Sequence, residues 1–212
     1  MRRKTYPLTI IAVAAFVSAM AYQRLPASVP MHWDVRGNAD GYASRLVGAL
    51  LIPAIMLAVW GLMRFLPSID PRRKNYDDMG GAYELVVNAT LTLLFLTHVV
   101  IIAAMLGFAV SIARVIPVLI GALFVVIGWV LPRAKPNWFF GIRTPWTLSN
   151  DRVWERTHRV GGHLFLACGL LMVASAALPP GIGFPVVFTG SLIAAVGSMI
   201  FSYIAWKQET SK

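Results

Sequence analysis

Apolar residues in this chain run in long blocks, and polar residues gather in the gaps between them. Six blocks stand out, at about 7–24, 46–65, 85–110, 115–131, 162–178 and 184–206. A helix needs roughly 20 mostly apolar residues to cross the hydrocarbon of a bilayer. Backbone polar groups in hydrocarbon must be satisfied within the protein, and a helix does this within one segment. A membrane β-barrel would show alternating polarity over roughly ten residues per strand, and these blocks do not alternate. The pattern predicts an all-α integral membrane protein with about six transmembrane helices.

The gaps give the organisation. Segment 1–66 holds the first two spans around a long loop, 25–45. Segment 67–131 holds a polar loop, with Arg72, Arg73, Lys74, Asp77 and Asp78, and spans three and four. Segment 132–161 is the longest connection and is dense in Trp, Arg and Gly. Segment 162–212 holds the last two spans and a short tail. Leu25-Pro26 with Pro30 follows span one, and Leu131-Pro132 with Pro136 follows span four. These spans run in opposite directions, so the echo suggests a weak three-plus-three inverted repeat.

Composition sharpens the picture. Apolar residues make up 58% of the chain and charged residues 13%, against about 25% charged in ordinary soluble domains. The single cysteine, Cys168, excludes a disulfide framework within one chain. A net charge of +10 would suggest nucleic acid in a soluble protein. Here it follows membrane topology. With a cytoplasmic N-terminus, 15 of the 19 Lys and Arg fall inside, and only Arg24, Arg36, Arg45 and Arg114 fall outside. Six spans return the C-terminus to the cytoplasm. The basic start, the apolar run and Ala19-Met20-Ala21 also resemble a cleavable leader. The length of the run favours a retained first helix.

The outside loop alternates Val29, Met31 and Trp33 with polar groups, which predicts a short extended run. Gly37-Asn38 and Asp40-Gly41 read as turns. His32, Asp34 and Asp40 supply nitrogen and oxygen donors of the kind that zinc accepts. No second histidine neighbours His32, so the competing reading has the aspartates capping turns and His32 and Trp33 packing at the interface. The loop then reads as an extracellular recognition surface.

In the long inside loop, Thr144-Pro145 favours extended backbone, and Ser149, Asn150 or Asp151 can cap a following helix. Residues 151–159 read as a short amphipathic helix. Val153, Trp154 and Thr157 lie on one side, with Arg152, Glu155, Arg156 and Arg159 around the other. Such a helix would lie on the membrane surface with Trp154 at headgroup depth. Gly161-Gly162 would then allow a sharp turn into span five. Arg143 suits an anionic group, and the Trp/Arg surface suits a protein partner. Alternatively, Trp138, Trp146 and Trp154 form an ordinary aromatic belt.

Polar residues within the spans are few. His98 and Asn88 lie in span three with Thr90, Thr92 and Thr97. A small transporter or flippase-like protein could build a midplane site from His98 and Asn88. No span contains an acidic residue, which argues against a proton relay. His163 heads span five, and Cys168 reads as a small apolar side chain. No nucleophile elbow, zincin motif or phosphate loop occurs. No catalytic residue, cofactor or direct nucleic-acid contact is therefore expected.

The two long loops carry a resemblance. Asn137, Gly141-Ile142-Arg143-Thr144, Trp146-Thr147-Leu148, Val153-Trp154, Thr157 and Arg159 resemble the signature stretch of the SdpI family, bacterial membrane immunity proteins. Pro30, His32, Trp33, Gly37, Asp40, Gly41 and Tyr42 resemble the uncharacterised extracellular module that often precedes it. Trp33 and Phe139-Phe140 stand where variants carry other aromatics. The resemblance implies a multi-pass protein of the bacterial cytoplasmic membrane that protects against a secreted SDP-type antimicrobial peptide. It also implies toxin sensing and docking of a cytoplasmic transcriptional repressor. On that reading Pro30, His32, Trp33, Asp34, Gly37, Asp40 and Gly41 face the toxin. Asn137, Gly141, Arg143, Thr144, Trp146, Trp154 and Arg159 form the cytoplasmic face.

Overall fold

A computed structural model describes residues 5–179 and 181–211. Its elements are α1 (Thr5–Tyr22), β1 (Ser28–Trp33), β2 (Ala39–Ser44), α2 (Arg45–Ile69), α3 (Lys74–Asp77), α4 (Ala82–Met105), α5 (Ile112–Val130), α6 (Pro145–Ser149), α7 (Asp151–Ala174) and α8 (Gly183–Thr210). Six of these helices are long and apolar enough to span a membrane. Large apolar side chains such as Phe16, Met20, Leu171 and Phe188 point outward from them. In water that would be unstable, but against lipid tails it costs nothing.

The helices form two groups of three. In the first, α1, α2 and α4 pack together around Ala14, Ala49, Met56 and Leu91. In the second, α5, α7 and α8 pack around Cys168, Met172 and Ala194. The α4–α5 contact joins the groups. Small residues allow the closest approach. A Cβ on Gly128 would lie 2.5 Å from Leu166 N, and one on Gly169 would lie 2.7 Å from Gly121 O. The α5 and α7 backbones therefore touch, and glycine is the side chain that permits it.

Three expectations are corrected. The 151–159 segment is not a separate surface helix. It is the first part of α7, which runs unbroken to Ala174. Gly161-Gly162 makes no turn. A Cβ on Gly162 would meet Gly128 O at 2.8 Å and Pro132 Cδ at 2.9 Å, so Gly162 serves helix packing. The Asn150 side chain caps α7, accepting from Arg152 N at 2.9 Å and Val153 N at 3.2 Å. Nor is Asp40-Gly41 a turn. Both residues lie in β2, which pairs antiparallel with β1. The turn is 34–38. There the Asp34 carboxylate accepts from the Arg36 and Asn38 main-chain N–H groups, both at 2.8 Å. Gly37 supplies a φ of 88°.

Candidate functional site

The two long connections lie at opposite ends of the bundle. At one end the β1–β2 hairpin crosses the helix ends. Val29 is fully buried; a Cβ on Gly48 of α2 would meet its Cγ2 at 2.5 Å and Met105 Cε of α4 at 3.0 Å. Met31 and Trp33 pack partly buried on the first core. The turn reaches the second helix group, where a Cβ on Gly37 would stand 3.1 Å from Ala113 Cβ. The hairpin thus bridges both groups.

Its outer side is open. Tyr42 is 64% exposed and Val35 58%. His32 Nδ1 lies 2.5 Å from Asp40 Oδ1 across the strands, with both side chains largely in solvent. Gly41 permits this contact, because a Cβ there would lie 2.8 Å from His32 Cβ. Pro30 pairs with Tyr42 in the ladder. Asp34 is consumed by the turn. Hydrogen bonds from the main chain and side chain of Asn38 hold its carboxyl below the usual carboxylate range. Among the described residues, no three His, Cys, Asp or Glu side chains group as a metal site. His32, Asp34 and Asp40 are therefore not assembled as a ligand set.

At the other end, 131–150 folds into a compact connection built around the buried side chains of Leu131, Ala134, Asn137, Thr144 and Thr147. Asn137 is 1% exposed and organises it. Its Oδ1 accepts from Phe139 N at 2.9 Å and Phe140 N at 2.6 Å, and its Nδ2 donates to Lys135 O and Phe140 O. Asp70, at the end of α2, is 3% exposed. It accepts from Arg72 N at 2.7 Å, Trp138 N at 2.9 Å and the Tyr76 hydroxyl at 3.0 Å. That hydroxyl also lies 3.1 Å from Asn137 Oδ1. Burial, then the hydrogen bond to Asp70, pushes the Tyr76 phenol well above its ordinary pKa. Asn75 adds a bond to Pro136 O at 2.6 Å. Asp70, Tyr76 and Asn137 thus clamp the two connections at this end together. Edge-to-face rings of Tyr76, Tyr83 and Phe140 back the clamp.

Gly141 has a φ of 101° and lies against His158, whose Nε2 is where its Cβ would fall. Ile142 N donates to His158 Nε2 at 2.9 Å, while Nδ1 lies 2.8 Å from Trp154 O. Only the neutral Nδ1–H tautomer satisfies both contacts. Thr144 and Thr147 form a reciprocal cap on α6, and Thr144 Oγ1 donates to Ser202 Oγ of α8 at 3.0 Å. Trp154 is 1% exposed, stacks on His158 at 4.1 Å and donates to Ala134 O at 2.8 Å. The headgroup position expected for Trp154 is therefore incorrect, because α7 turns that face into the core. Trp138 and Arg143 do face outward, and Arg143 donates to Trp138 O at 3.0 Å. Trp146 is partly covered by Tyr203. Arg159 pairs with Glu155 at 3.2 Å, as their spacing predicts.

His98 and Asn88 are not brought together. His98 is fully buried between α1, α2 and α4, with Nε2 2.9 Å from Ser18 Oγ. Asn88 lies about 15 Å away along the axis of α4, facing a groove beside α1 and α5.

Residues 133–202 match the SdpI/YfhL protein family, and residues 9–57 match DUF1648, a domain of unknown function. The Immunity protein SdpI of Bacillus subtilis (strain 168) is 25% identical over 209 residues, which is 98% of each chain. The chain is thus similar to the SdpI family in its signature segment and to one of its members over nearly its whole length. With six helices long and apolar enough to cross a membrane, it is a multi-pass membrane protein, and its likeness to that relative runs over 98% of the chain. No solved structure matches it. The SdpI-matching segment holds Asn137, Gly141, Thr144, Trp154 and His158, while the DUF1648-matching segment holds the hairpin. Asp70 and Tyr76 lie outside both matches.

Sequence reading missed Asp70, Tyr76 and His158. His158 had a usable signal, since it stands one helical turn beyond Trp154 on the same face. Asp70 had none that separates it from the polar residues around it.

Proposed function

We propose that this chain is a non-enzymatic membrane immunity protein that protects its cell against a secreted antimicrobial peptide of the SDP type. The observation that carries the proposal is the end-to-end similarity to a protein named for immunity. The charge distribution supports a cytoplasmic N-terminus, with the hairpin outside. There the open side of the hairpin, with Pro30, His32, Asp40, Gly41 and Tyr42, meets the peptide, while Trp33 seats the hairpin on the helices and Asp34 and Gly37 hold the turn. Inside, Asn137, Gly141, Thr144 and Trp154 shape the surface that displays Trp138, Arg143, Trp146 and Arg159. A cytoplasmic repressor docks on that surface.

A survival curve tests this. A sensitive bacterium expresses the wild type, a His32→Ala/Tyr42→Ala double variant, or Arg143→Ala, at matched membrane levels, under an SDP-type peptide. The wild type and Arg143→Ala protect, and the hairpin variant loses protection. A reporter of the repressor responds to peptide in the wild type and is silent in Arg143→Ala. An unprotected wild type overturns the immunity reading. Full protection by the hairpin variant overturns the peptide-facing role of the hairpin.

A further inference from the structure

A groove of about 450 Å³ opens sideways between α1, α4 and α5, on the flank where lipid surrounds the spans. That volume falls within the roughly 300–1,000 Å³ of small-molecule sites. Its lining is mostly apolar, and its polar side chains gather in one half. Tyr6, Asn88 and Thr92 line the part nearer the signature connection, and Leu96, Leu119 and Leu123 line the part toward the bilayer centre.

The polar end has one group to spare. Thr92 Oγ1 donates to Asn88 O at 2.7 Å, so the Tyr6 hydroxyl, 2.5 Å from Thr92 Oγ1, is the donor in that pair. The side-chain amide of Asn88 bonds to none of the described residues. In water this would mean little. Beside hydrocarbon, an amide without a partner is costly, and an occupant with an acceptor relieves it. Asn88 stands six residues into α4, about 9 Å from the helix start. That depth lies near the boundary between headgroups and hydrocarbon, where the ester carbonyls of a phospholipid sit. Esters accept hydrogen bonds and donate none, which matches the two N–H donors of Asn88. We infer that the groove binds one membrane phospholipid, with Asn88 donating to an ester carbonyl and an acyl chain lying along Leu96, Leu119 and Leu123.

Photolabelling of the purified full-length protein in vesicles tests this, with phosphatidylglycerol carrying a diazirine in one acyl chain. Crosslinked residues are mapped by mass spectrometry. Labelling at Leu96, Leu119 and Leu123 should exceed that at Leu192 and Ile193 of α8, which are more open to lipid, by at least tenfold. Asn88→Leu should lower groove labelling at least fivefold and leave α8 labelling unchanged, which also reports that the fold is intact. Ala122→Trp, which fills the groove, should remove it. Even labelling around all spans, or groove labelling unchanged in both variants, overturns the inference. Groove labelling by the free diazirine fatty acid but not by the phospholipid also overturns it. So does labelling by a diazirine-bearing apolar peptide that the phospholipid does not displace.

Discussion

The hairpin 28–44 and the connection 131–150 have comparable lengths, and each joins two membrane-spanning helices, yet they use their residues oppositely. The hairpin buries few side chains, chiefly Val29, and leaves His32, Val35, Asp40 and Tyr42 outward. The signature connection buries Asn137, Thr144 and Thr147, and the helix after it buries Val153, Trp154, Thr157 and His158. A two-stranded ribbon has one face to pack and one to display, so half its residues are free for recognition. An irregular connection must satisfy its own backbone, and it spends its polar side chains doing so. A motif rich in Trp, Thr, Asn and Gly can therefore be largely framework, with Trp138, Arg143 and Arg159 among the side chains it leaves exposed.

This contrast can be broken, and the largest effect should come from Trp154→Ala. Removing a buried indole costs about 3–5 kcal/mol, and here it also strands Ala134 O. We expect a sharp fall in membrane level and melting temperature; a melting temperature close to wild type would show that the signature end is not framework. Next comes Asp70→Ala. It leaves Trp138 N and the Tyr76 hydroxyl without their acceptor, a loss of about 2–3 kcal/mol. Amide exchange should rise at 136–140 and stay unchanged in the hairpin, and uniform exchange would contradict the clamp. Tyr42→Ala should change stability by no more than about 0.5 kcal/mol, while still weakening any peptide contact. A larger destabilisation would place Tyr42 in the framework.

The smallest effect concerns pH. The Asp34 carboxyl has a depressed folded-state pKa, so its contribution is present above the unfolded value and is lost as pH falls through the folded one. Acidification below the usual carboxylate range should therefore loosen the 34–38 turn. Amide exchange at Arg36 and Asn38 is the readout, and Asp34→Asn should flatten its pH dependence. The same acid step should leave exchange at Phe139 and Phe140 unchanged until much of the fold is lost, because an amide oxygen, Asn137 Oδ1, accepts there.

Much of the fold was legible in the chain because hydrocarbon imposes a local rule. Every residue of a span must be apolar or paired, so length and hydropathy give span number and position without knowledge of neighbours. The sequence likewise determined the Glu155–Arg159 pair, a helix cap within 149–151 and an extended run through Val29, Met31 and Trp33. Only the tertiary structure decided what depends on a distant partner. Whether Gly161-Gly162 bends a helix or seats another against it depends on Gly128 and Pro132, far upstream in the chain. Whether Trp154 meets headgroups or core depends on His158 and Ala134. Asp70 joins Asn137 across 67 positions, through Tyr76, and no local pattern encodes that meeting. His98 and Asn88 share one helix but face different neighbours, so their separation is set by how α1, α2 and α5 pack around α4. The bilayer acts on each segment by itself, whereas burial of a polar side chain is settled only when two segments meet.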